Sequence, residues 1–503
     1  MTAEPFAIEG AAVTIEDVLA AGRRARPLTI GGGVRTRLEA ARGVVERYLD
    51  QGIPAYGLNT GLGGNVGHRL GQAEAASFQE RLVLGRMAGI GPHLPVEVSR
   101  AALFARIVGL SKGGAGLSLP VFDLLVAMSE RDVVPALPAL GSLGTGDLLQ
   151  SMPMAAVAIG RGEAHFGGAV MPAAEALKRA GLAPVALGPK DGLAIANASA
   201  VTAALACFAL GRLGRLMNLH IAAASLACEA FGANPAIFEQ RLLAARPAGR
   251  QVEAGALFRE ALSGGSFLAS APLKVQDALS FRTLPQVTGT VMTAHETARA
   301  EVETELNGEP DNPLVLVEEG AIRSTANFHT PAIALAFDTL AIALAHLATA
   351  SVQRSIKLMT GRLSGLPNYL SPAGGSSAGF VPLQKNLAAL QAEIRLKAMP
   401  ASMDALVVSD TVEDVAPLSP LAIRKLDEQM DAVEWMLTLE SIFAAQAWDL
   451  RAVEQPGSHL GAASGDLHRR VRSQMAFLVE DRETTPELRR LHAHLWQRVD
   501  GSR

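Results

Sequence analysis

Gly141-Ser142-Leu143-Gly144-Thr145-Gly146-Asp147-Leu148 is the stretch on which the reading of this chain turns. Glycines at 141, 144 and 146, after the proline-punctuated residues 134–138, break any regular helix. Taken alone, the segment is a tight turn, or a glycine-rich anion cradle at a helix that begins near Leu148. No Lys-Ser or Lys-Thr follows the glycines, so it is not a P-loop.

The texture of the chain differs on the two sides of this loop. Residues 1–192 are interrupted often by Gly and Pro. Helical stretches at 34–51, 72–84 and 99–110 alternate there with loops at 57–67 and 111–116. From about Leu193, long apolar-periodic segments follow at 195–231, 286–306, 330–360, 381–399 and 419–446. Several exceed the roughly 8–20 residues of an ordinary globular helix, which predicts a bundle of long helices. Ala-rich faces at 201–226 and 332–350 allow close backbone approach or contacts between subunits. The predicted organisation is 1–192 as the part carrying residues 144–146, 193–464 as a central long-helix bundle, and 465–503 as an exposed, charged cap. The fold reads as mostly α.

Composition narrows the function. Lys and Arg number 45 against 49 Asp and Glu in 503 residues, a net charge of −4, so no broad basic field is available for nucleic acid. Hydrophobic residues at 49% exclude a disordered chain, while aromatics at only 4% leave Ala, Leu and Val to build the core. Cys207 and Cys228 are the only cysteines, so no disulfide framework exists and a reducing compartment fits. Residues 1–10 contain Glu4 and Glu9 and no secretory signal pattern. Asp338 and His346 interrupt the apolar stretch 331–353, and Arg212, Arg215, His220 and Glu229 interrupt 201–231. Both fall short of the ~18 uninterrupted apolar residues of a membrane span. The expectation is a cytoplasmic protein with no membrane partner. His492 and His494 lie two apart on different helix faces without a carboxylate at ligand spacing, so no metal is expected.

A series of motifs stands in order along the chain: Tyr56-Gly57-Leu58-Asn59-Thr60-Gly61, Lys112-Gly113, the 141–148 loop, Pro172-Ala173-Ala174-Glu175-Ala176-Leu177 and Lys190-Asp191-Gly192-Leu193-Ala194. Asn197, Gln276-Asp277, Arg282, Pro285-Gln286-Val287, Asp311-Asn312-Pro313-Leu314, Asn327-Phe328-His329 and Glu413-Asp414 continue it. In these the chain, over about 53–419, resembles the histidine/phenylalanine/tyrosine ammonia-lyase family. The resemblance implies the ammonia-lyase (fumarase/aspartase-like) fold, mostly α with a central bundle of long helices. It also implies a homotetramer whose active sites are shared between subunits, acting on a small amino acid. In that family an Ala-Ser-Gly tripeptide cyclises to 4-methylideneimidazole-5-one, an electrophile made from backbone.

Such a group answers a chemical need. Ammonia elimination requires loss of a scarcely acidic β-proton and expulsion of a poor leaving group, and no ordinary side chain is a strong electrophile. The third residue's nitrogen must attack the first residue's carbonyl, a tight geometry that suits a residue without Cβ, here Gly146. This chain departs from the family with Gly144-Thr145-Gly146. Gly144 in place of Ala removes a methyl that the reaction does not consume, so the exchange reads as harmless. Thr145 in place of Ser matters more, because its dehydration gives an ethylidene whose methyl crowds the carbon to be attacked. Either a modified 4-methylideneimidazole-5-one-type group forms from 144–146, or none does.

The resemblance assigns the other positions. Tyr56 is the base for the β-proton; because a phenol in water ionises near ~10, cationic neighbours or a helix N-terminus would have to assist. Arg282 holds the substrate carboxylate, for which a guanidinium fork is suited. Asn197 and Gln276 orient the carboxylate and the tyrosine, Phe328 packs near the electrophile, and Glu413 sits near the amine or the polar side-chain end. Arg86, in the selectivity segment 82–86, points to a polar or anionic substrate side chain. Leu279 replaces the family's second active-site tyrosine, and Gln150 and Pro153 replace the usual Pro and His. Read without the family, Tyr56 is a packing residue, Arg282 a structural ion pair, Arg86 a solvated helix residue and Glu413-Asp414 an exposed helix end. The acidic run 301–311 reads as a solvated helix face, and Lys385 as a solvated lysine.

The leading reading is therefore an ammonia-lyase acting on an L-α-amino acid with a polar or histidine/aromatic-type side chain, giving an α,β-unsaturated acid. An aminomutase is the same chemistry with readdition. The second reading drops the electrophile: with a quaternary ammonium leaving group on a betaine, as in relatives of the ergothioneine-cleaving type, Tyr56 alone drives elimination. The third is a non-catalytic scaffold, which has no need of Tyr56, Asn197, Gln276, Arg282 and Glu413 together.

Overall fold

The computed structural model describes residues 5–9, 12–403 and 407–496. The chain is mostly helical, 60% helix and 7% strand. It divides into two compact units, one of Met1–Gly211, Ala298–Phe337 and Pro400–Arg424, the other of Arg212–Thr297, Asp338–Met399 and Lys425–Arg503. The longest described helices, Ala200–Phe231, Leu284–Asn307, Pro331–Leu358 and Ser419–Glu454, each contribute residues to both.

In the first unit, helix Gly32–Asp50 buries Val34, Leu38, Ala41, Val44, Val45 and Tyr48, one stripe at helical spacing. Ala41, Val44, Val45 and Tyr48 pack with Ala55, Leu58, Val315 and Ile322. That cluster anchors the loop carrying Tyr56 and the hairpin of Leu314–Leu316 with Ala321–Arg323. Tyr48 Oη also accepts from the Ile322 N–H at 3.0 Å.

The predicted helix 195–231 is broken in two. Asp191–Ala196 ends at Asn197, and Ala200–Phe231 starts afresh. The buried guanidinium of Arg106 stops the first piece by donating to the carbonyls of Ala194 and Ile195, acceptors a helix end leaves orphaned. Asp147 starts the second: its carboxylate accepts from the Thr202 N–H and hydroxyl, both at 2.7 Å.

The second unit holds a bundle stitched by polar contacts. His220 meets Thr288 at 3.0 Å, and Arg212 on the first helix reaches Asp427, Asp431 and Glu434 on Ser419–Glu454. Arg354 pairs with Glu440 at 2.6 Å, both fully buried. Helices Ala462–Gln474 and Thr485–Trp496 bury Leu467, Val471, Leu488, Leu491 and Leu495, so this C-terminal stretch packs by one apolar face.

The helical stretches Asp191–Phe231 and Pro331–Leu358 are long and apolar enough to cross a membrane, yet 89% and 61% of their most apolar windows are buried in the protein. Short sheets of two to four residues per strand, such as Ile90–His93 with Pro138–Leu140, accompany the helices of this mostly α fold.

Candidate active site

The Tyr56 loop is held by its own polar side chains. Asn59 accepts from the Ala55 N–H at 2.8 Å and donates to the Ile53 carbonyl at 2.9 Å. Gln79, fully buried, donates to the Gly57 carbonyl at 3.1 Å and accepts from the Gly192 and Leu193 N–H groups at 3.0 and 3.3 Å. One side chain thus ties the tyrosine loop to the helix that ends at Asn197. The phenol oxygen of Tyr56 accepts from the Gly63 N–H at 3.0 Å, an arrangement that leaves it disposed as an acceptor.

Arg86 caps helix Gln72–Gly85 at its C-terminus and is half-buried rather than solvated. Burial lowers its guanidinium below the usual arginine range, while Tyr56 and Glu413 act in the opposite sense, which brings the three together in one electrostatic neighbourhood. Glu413 does not stand at a helix end. It closes a hairpin turn by pairing with Val408, and Ser409 Oγ donates to its carboxylate at 2.9 Å. Ser409, Asp410 and Thr411 all have positive φ, 55°, 54° and 68°, costly for residues with a Cβ. This turn packs on Gly64, where an added Cβ would meet Asp410 Cβ at 3.1 Å.

Residues 144–146 are immobilised from three sides. Ser142 accepts from the Gly144 N–H at 3.0 Å and donates to Asp147 at 2.6 Å, and the Leu418 N–H donates to the Leu143 carbonyl at 2.8 Å. Burial pushes the Asp147 carboxyl up, opposed by Ser142 and Thr202. Thr145 pairs with His329 as an antiparallel bridge. Gly144 at φ 82° has no room for a methyl: a Cβ would lie 2.8 Å from Pro417 Cγ and 2.9 Å from Ser419 Oγ. The Ala-to-Gly departure, read as harmless, is therefore required by this backbone. Gly146, at φ 97°, faces Asn197 Oδ1 at 2.5 Å from a notional Cβ and Phe328 Cβ at 3.5 Å. Asn197 is fixed by donating to the Asn312 carbonyl at 2.8 Å. Tyr56, Arg86, Thr145, Asn197, Phe328 and Glu413 all belong to the first unit.

Gln276, Leu279 and Arg282 belong to the second. With its amide turned to face the guanidinium, Gln276 accepts from Arg282, Nη2 lying at 3.0 Å. Their segment is anchored by Asp277, which accepts from the Asn234 N–H at 2.7 Å, by the stacking of Phe281 on Phe231, and by Arg354 donating to the Ser280 carbonyl at 3.2 Å. Leu279 is 64% exposed. Lys385 is exposed on helix Leu383–Lys397, as a solvated lysine would be.

The acidic run 301–311 is not a solvated face. Asp311 pairs with Arg106 at 2.6 Å, each only 2% exposed, and Glu305 accepts from Ser199. Sequence reasoning also passed over Lys190, which is fully buried, donates to the Ala115 carbonyl and is lowered to about 8 by burial, against the pull of Asp311. Its motif was noted, but nothing local signalled that the side chain turns inward.

Residues 13–473 match the family described as aromatic amino acid lyase. The chain belongs to that family. It is accordingly a carbon–nitrogen lyase. It is 37% identical to a protein named histidine ammonia-lyase from Anaeromyxobacter dehalogenans (strain 2CP-C), over 95% of this chain and 96% of that one. Among solved structures it superposes on ergothionase from Treponema denticola, an ergothioneine-degrading enzyme in complex with desmethyl-ergothioneine sulfonic acid. The TM-score is 0.94 at 28% identity, covering 98% of each chain. The phenylalanine aminomutase of Pantoea agglomerans gives a TM-score of 0.90 at 26% identity, again over 98% of each.

Proposed function

We propose that this family member eliminates an amine from a betaine-type derivative of an α-amino acid, and does so without a backbone-derived electrophile. The observation that carries the proposal is Thr145 itself, a threonine where the family's tripeptide has serine. Its dehydration would leave a methyl on the alkene, crowding the carbon that must be attacked. Residues 144–146 therefore do not fit a 4-methylideneimidazole-5-one-type group, and no step here runs through one.

With a quaternary ammonium as leaving group, the chemistry needs only a base and a rigid grip. Tyr56 takes the β-proton, the C–H electrons become the new double bond, and the C–N electrons depart with a neutral tertiary amine. An α,β-unsaturated acid remains. Arg282, oriented by Gln276, has the role that the family resemblance gives it, gripping the carboxylate, which a fixed fork does at low entropic cost. Phe328 packs against the reacting carbons, and Leu279 widens the apolar side. Glu413 and Arg86 read the charged and polar ends.

We also infer a cytoplasmic homotetramer with active sites shared between subunits. Leu273 at 53%, Val275 at 100% and Leu279 at 64% exposure flank Gln276 in one stretch, apolar surface that a second copy would cover.

The test is a matched pair of substrates, an imidazole-bearing amino acid and its α-trimethylammonium counterpart. Trimethylamine and a near-ultraviolet-absorbing product should appear from the betaine only, and neither with Tyr56→Phe. Ammonia release from the primary amine, with the betaine inert, would overturn the proposal. That outcome is the reading that led from sequence, an ammonia-lyase with an electrophile from 144–146, favoured by the identity to a protein named histidine ammonia-lyase. Recovery of a β-amino acid in the same assay would instead identify an aminomutase.

A further inference from the structure

Gln79 is fully buried on helix Gln72–Gly85, and both ends of its carboxamide are engaged beside the candidate site. Nε2 donates to the carbonyl of Gly57, the residue after Tyr56, at 3.1 Å. Oε1 accepts from the N–H groups of Gly192 and Leu193 at 3.0 and 3.3 Å. Those donors lie in the first turn of helix Asp191–Ala196, where N–H groups have no partner inside the helix. Lys190 at the N-cap supplies no side-chain bond, so Gln79 caps that helix from another element. The Leu193 carbonyl then accepts from the Asn197 N–H at 2.9 Å. A continuous path of hydrogen bonds thus runs from the residue beside Tyr56 through Gln79 and Leu193 to Asn197. Packing along it is close. A Cβ on Gly192 would lie 3.1 Å from Val83 Cγ2 and 3.2 Å from Gln79 Oε1, and one on Gly57 would meet Leu193 Cδ2. Arg86 stands at the C-cap of the same helix, about two turns beyond Gln79.

We propose that Gln79 is a positioning residue that sets Tyr56 against Asn197 and so governs the proton-abstraction step. The inference rests on Tyr56 as the base of the proposed elimination, and it holds whichever amine departs. The family resemblance has Asn197 orient the carboxylate and the tyrosine, so the spacing between the two residues is part of the mechanism. A 1 Å misplacement caused far from the reacting atoms can cost about 10²-fold in rate. The carboxamide can be dissected chemically. A carboxylate at 79 would still accept from the Gly192 and Leu193 N–H groups, but would turn its second oxygen against the Gly57 carbonyl. Protonated, the same carboxyl would donate its O–H to that carbonyl and restore the tie. Burial favours the protonated form. An uncharged thioether of similar size would fill the space and lose the bonds on both sides.

Initial rates across pH test this on whichever of the two paired substrates wild type converts. The ratio of Gln79→Glu to wild-type kcat should fall by about 10²-fold as pH rises and the carboxyl ionises, with KM little changed because Arg282 grips the carboxylate. Taking the ratio removes the titration that both proteins share. Gln79→Met should lower kcat by a comparable factor at every pH. Hydrogen exchange supplies a readout without substrate: the amides of residues 192 and 193 should exchange faster in Gln79→Met and stay protected in Gln79→Glu. Far-ultraviolet spectra and elution volumes check the fold at each pH, and should one variant fail to fold, the other decides. A folded Gln79→Met with wild-type kcat, or a Gln79→Glu ratio flat with pH, would overturn the positioning role alone, since a glutamine that only stabilises the fold leaves that ratio unmoved. Wild type inert on both substrates would overturn the reading of Tyr56 as base, and this inference with it.

Discussion

Restoring the family's alanine at position 144 should damage this protein. Gly144 sits at φ 82°, in the region where a Cβ meets its own backbone, at roughly 1–2 kcal/mol for an L-residue. The methyl would also arrive 2.8 Å from Pro417 Cγ, 2.9 Å from Ser419 Oγ and 3.0 Å from Ser419 N. Pro417 and Ser419 are both buried, and Ser419 starts a helix, so neither moves freely. Overpacking of this kind costs about 1–3 kcal/mol. Together Gly144→Ala should destabilise by about 2–5 kcal/mol. Urea unfolding beside wild type at equal protein concentration measures it as a lowered midpoint with unchanged slope. Gly144→Ser should do at least as badly. A Gly144→Ala midpoint indistinguishable from wild type would refute the account of this loop, because it would mean that the backbone at 144 is free to leave the conformation that pairs Thr145 with His329.

Asp311→Asn strands the Arg106 guanidinium at 2% exposure, and loss of one partner of a buried pair should cost about 3–5 kcal/mol by the same measurement. Burial raises Glu229, which accepts from the Gly461 N–H at 2.9 Å, to about 7. The folded protein thus binds that proton more tightly than the unfolded chain, and stability should fall as pH rises from the ordinary glutamate range through about 7. Glu229→Gln should flatten that slope, gaining on the order of 3 kcal/mol over wild type above pH 8, read from unfolding midpoints across pH. Tyr56→Phe should lower kcat on the betaine by about 10²–10⁴-fold with the fold intact, as loss of a general base does, measured by initial rates of amine release.

The long helices were legible because their apolar period persists over many turns, and the glycine loop because no helix tolerates three glycines in seven residues. Tyr56, Asn197, Arg282 and Glu413 were given site roles only through ordered motifs; none is distinctive alone. What the sequence concealed depends on partners far along the chain. Asp311 looked solvated because Arg106, which buries it, lies 205 positions away. Strands of two to four residues are too short for alternation to register. Gly144 looked neutral because the wall against its missing methyl is Pro417 and Ser419.

The most direct measurement is the intact mass of the wild-type protein at unit accuracy, beside Thr145→Ala. The account predicts the unmodified sequence mass for wild type, differing from the variant only by the side-chain exchange. A wild-type mass short by two waters, restored in Thr145→Ala, would contradict it and assign the chemistry to an electrophile built from residues 144–146.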